Sequence, residues 1–194
     1  MMHLPKYTAV ILAGGRARRF GGRHKPLAVL RGQTLLEHQL EVLEPLFGEI
    51  LLITNDPQAF HSYSHLRIQT DVMADKGPLG GIHSALHHAS QQSLFVVAGD
   101  MPFLRDRMIR QQINISVEQP GQAIVPKTGE KTEPLHAIYP KATLQTLEPY
   151  LKQAADRSVR SFLEHIPVYY WNVSDAASFV SINTPEELRH HEAG

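Results

Sequence analysis

The chain has 194 residues, 19 Lys and Arg against 19 Asp and Glu, and no cysteine. Zero formal charge means bulk electrostatics will not recruit nucleic acid or an anionic membrane, so any anion site must be local. The missing thiols exclude disulfides, thiolate metal sites and cysteine nucleophiles. Met1 to Lys6 lacks the long apolar core of a signal peptide, and no apolar run approaches a membrane span. A cytoplasmic protein with one domain over residues 1–194 is expected.

In chain order, short apolar runs alternate with helical patterns, which predicts a mostly parallel sheet covered by helices. Thr8 to Leu12 reads as the first strand. Thr34 to Leu46 carries Leu35, Leu36, Leu40, Val42, Leu43 and Leu46 at helical spacing. Glu49 to Thr54 and Leu66 to Thr70 are the next strands. Leu79 to Ala89 is a predicted helix and Leu94 to Ala98 a buried central strand. Later strands are predicted at Ala123 to Pro126, His136 to Tyr139 and Val168 to Val173. Helices are predicted at Ala142 to Ala154, Ser158 to His165 and Pro185 to His191.

The first strand runs into Leu12-Ala-Gly-Gly-Arg-Ala-Arg-Arg-Phe-Gly-Gly-Arg-His-Lys25. Glycines let a backbone approach a ligand with its N–H groups free, and Arg16, Arg18, Arg19 and Lys25 add positive charge. A triphosphate needs that combination. The spacing matches neither a P-loop nor a dinucleotide fingerprint.

In open α/β sheets, ligands bind beyond the carboxyl ends of the strands. Two more polar features are predicted there. Asn55-Asp56 follows the second strand and Asp71 the third. Asp100 follows the central strand, where its carboxylate suits Mg²⁺ bridged to phosphates. The turn Lys76-Gly77-Pro78-Leu79-Gly80-Gly81 permits close approach of a base, or needs glycine for its own dihedrals. His61/His65 and His83/His87 have i, i+4 spacing, but neither pair has an accompanying third ligand, and solvated histidines are expected.

Taken together, LAGGRARRFGGRHK, GPLGGI, AGDMPFL, EPLHAIYP and SINTPEEL resemble, in this order, the molybdenum cofactor guanylyltransferase family, from Thr8 to about Leu188. Cytidylyl-transferring relatives are less similar, since they carry LAAG where Leu12-Ala13-Gly14-Gly15 stands here. The resemblance implies a three-layer α/β/α, Rossmann-like nucleotidyltransferase fold with a mostly parallel, mixed sheet. It implies transfer of GMP from GTP to molybdopterin with release of pyrophosphate. The partners are then GTP, molybdopterin, cofactor-biosynthesis proteins and recipient molybdoenzymes. By the same carry-over Leu12, Ala13, Gly14, Gly15, Asn55, Asp71 and Gly80 serve the nucleotide, Lys25 its phosphates, and Asp100 binds Mg²⁺. Lys25, Asp100 and Arg19 form the expected catalytic set. Arg19, Arg157, Arg160 and Asn183 are candidates for the pterin side, since arginine forks suit phosphate and flat heterocycles. The family usually has aspartate before the loop lysine, and here that residue is His24. Two alternatives stand beside this reading. One is cytidylyl or other nucleotidyl transfer to a different phosphorylated acceptor, and the other is GTP binding for cofactor delivery without turnover.

Overall fold

The computed structural model describes residues 6–14, 24–73 and 75–192. Gly15, Arg16, Arg18 and Arg19 lie outside the described residues. Strand β1 (Tyr7–Leu12) is buried at every position and forms the middle of the sheet. A two-residue hairpin, β2 (Val29–Leu30) and β3 (Gln33–Thr34), leads into helix α1 (Leu35–Leu43). Then follow β4 (Ile50–Ile53), β5 (Arg67–Gln69), α2 (Gly77–His88), β6 (Ser93–Ala98) and α3 (Asp106–Glu118). The second half contains β7 (Ala123–Thr128), β8 (Lys131–Thr132), β9 (His136–Pro140), α4 (Leu144–Gln153), α5 (Val159–Leu163), β10 (Val168–Asn172) and α6 (Pro185–Glu192).

The large sheet has the order β10-β7-β9-β6-β1-β4-β5, with β8 paired to β7. β1 is parallel to β4 and β6, β4 to β5, and β10 to β7, while β9 runs antiparallel to both β6 and β7. The expected mostly parallel, mixed sheet is therefore observed, with β9 as the reversed long strand. Register aligns the strand ends: Leu12 pairs with Ile53 and with Ala98, and Ile53 with Gln69. Four chain segments thus leave the sheet along one edge.

Alternation along β1 builds the layers. Ala9 and Ile11 join Leu36, Leu40, Ile109 and Ile113 in one core, under α1 and α3. Val10 and Leu12 join Leu79, Ile82, Leu147 and Phe162 in the other, under α2, α4 and α5. Successive strand side chains face opposite ways, so a fully apolar strand needs helices on both sides.

Helix α1 is shorter than predicted. Thr34 caps it, accepting from Glu37 N at 3.1 Å, while the Glu37 carboxylate accepts from Thr34 N at 2.6 Å. Its end precedes Pro45, which has no N–H with which to continue the ladder. Helix α3 and the β2–β3 hairpin were not anticipated from the sequence. His83, expected in solvent, is 2% exposed, and His87 is exposed. His61 and His65 belong to a 3-10 segment and the turn after it, which does not keep helical i, i+4 facing.

His136 is fully buried between Phe95 and Phe179, which meet its ring edge-on, each at 5.0 Å between centroids. Burial penalises the imidazolium and pushes its pKa from 6.5 down to about 4. The unfolded chain therefore binds a proton at His136 that the folded chain refuses. Stability contributed by this site is complete above about pH 6.5 and falls as pH drops toward 4, by about 1.4 kcal/mol per pH unit at most. Chemical denaturation across pH 4 to 7 should show that acid limb flattened in His136→Leu relative to wild type, and parallel curves would exclude His136 as its source.

Candidate active site

Each parallel strand delivers one polar element to the shared edge. Beyond β1, Ala13 N donates to Ile53 O at 2.8 Å, and a Cβ at Gly14 would meet nothing within 4 Å among the described residues. Beyond β4 and β5, Asn55 and Asp71 bond twice. Asn55 Nδ2 donates to Asp71 Oδ2 at 2.8 Å and Asp71 N to Asn55 Oδ1 at 3.1 Å. Beyond β6 comes Gly99-Asp100.

That last turn is held from beneath. The Gln39 side chain, fully buried on α1, donates to Ala98 O at 2.8 Å and Met101 O at 2.9 Å. Gly99 N donates to Leu12 O at 3.0 Å, and Ile182 N to Asp100 O at 2.8 Å. Gly99 has no room for a side chain, because a Cβ would sit 2.7 Å from Pro26 Cγ and 3.1 Å from Leu12 O. The absence of that carbon lets the Lys25-Pro26 segment lie against the β6 turn.

The result is a node at Lys25. Its ammonium donates to Asp100 Oδ2 at 2.9 Å and to Asn183 Oδ1 at 2.8 Å. Three of the predicted residues, 75 and 158 positions apart from Lys25, thereby meet at one charge. The pair is partly open, with side chains 29% and 19% exposed. An ammonium carries three donors, so one remains for a ligand.

Asn183 is held by a helix start. Thr184 Oγ1 accepts from Glu187 N at 3.2 Å, while the Glu187 carboxylate accepts from Asn183 N. Pro185 opens α6.

His24 does not face solvent. Its Nε2 donates to Asp56 Oδ2 at 2.9 Å and its ring packs on buried Phe60 at 5.5 Å between centroids. The His24 hydrogen bond, with help from Ala59 N, holds the Asp56 carboxyl below the usual range.

Other predicted residues sit apart from this node. Gly80 and Gly81 are buried, and their lack of side chains serves helix packing. A Cβ would meet Lys76 Cβ at 2.7 Å from position 80 and Leu12 Cδ2 at 3.0 Å from position 81. Arg157 and Arg160 are exposed, one just before α5 and one on it. Gln39 was not selected from the sequence, where a glutamine inside an otherwise apolar helical stripe was the available signal; Asp56 was singled out with Asn55 at a strand end but given no role of its own.

Residues 9–168 match the family model of the MobA-like NTP transferase domain. A molybdenum cofactor guanylyltransferase from Vibrio campbellii is 34% identical, covering 97% of this chain and 96% of that protein. The one from Desulfosudis oleivorans is 31% identical, covering 96% and 94%. Among solved structures, molybdopterin-guanine dinucleotide biosynthesis protein A from Archaeoglobus fulgidus superposes with a TM-score of 0.82 at 28% identity. That match covers 96% of this chain and 97% of the other.

Replacing His24 by alanine should raise the Asp56 carboxyl pKa, because its largest stabilising hydrogen bond is lost. Side-chain carboxyl titration by NMR measures this directly. An Asp56 titration unchanged in His24→Ala would mean that the two groups are not paired in solution.

Proposed function

Because the chain belongs to the MobA-like NTP transferase family and, within it, to the molybdenum cofactor guanylyltransferases, we propose that the Lys25 node is where guanylate passes from GTP to molybdopterin. The observation that carries this placement is the convergence of Lys25, Asp100 and Asn183 at the carboxyl edge of the parallel strands. The nucleotide would lie over the ends of β1, β4 and β5, against Leu12, Ala13, Gly14, Asn55 and Asp71, with Gly15 and Gly80 as further candidates. Arg19, Arg157 and Arg160 are candidates for the acceptor's phosphate and ring. Recipient molybdoenzymes and cofactor-biosynthesis proteins are expected partners. No helix among the described residues is long and apolar enough to cross a membrane, and the cytoplasm is the compartment we expect.

The donor set fits a divalent cation of the Mg²⁺ type. Lys25 engages Oδ2 of Asp100, leaving Oδ1 as a hard oxygen ligand. No group of three or more His, Cys, Asp or Glu among the described residues is arranged to hold a metal. The remaining ligands would then be phosphate oxygens and water, the usual pattern for Mg²⁺. Bound there, the ion would supply charge neutralisation at the α-phosphate.

Chemistry proceeds by in-line displacement. An oxygen of the acceptor's phosphate forms a bond to the α-phosphorus of GTP while the bond from that phosphorus to the bridging oxygen breaks, and pyrophosphate departs with the electron pair. The attacking phosphate is already ionised at neutral pH, so no general base is required. What remains for the protein is alignment and neutralisation of charge. Lys25 stabilises the departing pyrophosphate with its ammonium. Asn183 and Asp100 fix where that ammonium sits.

The reading is tested by pyrophosphate release from purified protein with molybdopterin and GTP, CTP or ATP in turn. GTP should be preferred, because polar groups matched to the guanine edge are left unpaired by another base. Lys25→Ala should slow release by about 10²–10³, and Asp100→Ala should lose the Mg²⁺-dependent activity. A preference for CTP would move the chain to cytidylyl transfer, and near-normal turnover in folded Lys25→Ala would remove the node from the reaction.

A further inference from the structure

EPLHAIYP contains a carboxylate that the proposed reaction does not use. Glu133 lies just ahead of β9, and its backbone N donates to Pro126 O at 2.9 Å. Two residues later, Leu135 O accepts from Ala98 N at 3.0 Å, two positions before Asp100. Glu133 is therefore at the ligand edge of the sheet, on the side of β6 away from Asn55 and Asp71.

There it lines a cavity of about 400 Å³ with Thr128, Lys131, Phe179, Ser181 and Asn183. The volume is within the range of small-molecule sites. Asn183 is shared with the Lys25 node, which it touches at 2.8 Å. A ligand in this cavity thus has its end next to Lys25 and Asp100.

The cavity's polar groups are short of partners. The Glu133 side chain is 9% exposed and pairs, among the described residues, with Lys131 at 2.7 Å, whose own side chain is 65% exposed. A carboxylate offers about four acceptor sites and cannot be left unsatisfied without cost. The Thr128 hydroxyl oxygen is buried with no hydrogen-bond partner among the described residues. Phe179 adds an aromatic wall. Paired N–H donors on a flat heterocycle are what such a carboxylate accepts in two parallel bonds.

We propose that Glu133 and Thr128 recognise the 2-amino-4-oxopyrimidine edge of the acceptor's pterin ring in this cavity. The inference rests on the reading of the reaction given above, which supplies a pterin acceptor. Guanine carries the same edge, so the nucleotide is the competing occupant. The pterin is favoured because the cavity and the Asn55–Asp71 pair flank the Lys25 node on opposite sides, and with the guanine read at Asn55 and Asp71 the second ring system needs a separate pocket.

The test titrates wild type, Glu133→Gln and Thr128→Val with neopterin, followed by pterin fluorescence, and with GTP and Mg²⁺ in parallel. Glu133→Gln should weaken neopterin about tenfold or more, since a charge-assisted hydrogen bond is lost. Thr128→Val should weaken it less, and GTP affinity should hold in both, which also reports an intact fold. If Glu133→Gln fails to fold, Thr128→Val carries the test. Absent neopterin binding to wild type, unchanged binding in both variants, or loss of GTP binding in place of neopterin binding each overturns the assignment. Molybdopterin transfer by wild type separates the two claims. Glu133-dependent neopterin binding without any transfer leaves this site standing and removes the reaction. Normal transfer, with a molybdopterin KM unmoved by either variant, removes the site and keeps the reaction.

Discussion

The Lys25 ammonium joins three distant parts of the chain at one charge. Asp100 comes from the end of the central strand β6, Asn183 from the entry to α6, and Lys25 from the segment after β1. Lys25 and Asp100 are placed by residues far along the chain, and Asn183 by its own helix start as well. Lys25 depends on Gly99, which leaves room for Pro26, and Asp100 depends on Gln39, which grips both sides of its turn from α1. Asn183 depends on Ile182, whose N–H holds Asp100 O. Geometry at the node is therefore a property of the packed core, and rigid support of this kind is what positioning catalysis requires.

His24 stands where the resemblance implies an aspartate. An aspartate there would add a carboxylate beside the lysine. The imidazole instead binds Asp56 and lies on Phe60. Restoring aspartate at position 24 would set two carboxylates against each other, which is unfavourable at close range. The pair also ties the Lys25 segment to β4, as Gly99 ties it to β6.

Much of the architecture was legible because local chemistry specifies it. Leu94 to Ala98 is too apolar to be anything but a doubly covered strand, and Thr34 with Glu37 marks a helix start. Helix α3 went unpredicted although Met108, Ile109, Gln112 and Ile113 fall on one buried face at helical spacing; what the pattern does not contain is that Gln112 donates across the fold to Ile124 O and His136 O. The reversed placement of β9 between β6 and β7 is a tertiary fact that no strand pattern contains. The same holds for the site. Asp100 announces itself by strand-end position, Lys25 by closing the glycine- and arginine-rich loop, and Asn183 by its place just before the last helix. The partnerships of Asp56, Gln39 and Glu133 span the fold and leave little local trace.

On the proposed reading, one node receives the triphosphate and its metal. A crystal structure of wild type with GTP and Mn²⁺, used as the anomalous substitute for Mg²⁺, would locate both. Manganese is expected on the Asp100 carboxylate and Lys25 Nζ on phosphate oxygens, with the base over the ends of β4 and β5. Manganese away from Asp100, or a triphosphate out of reach of Lys25, would contradict it.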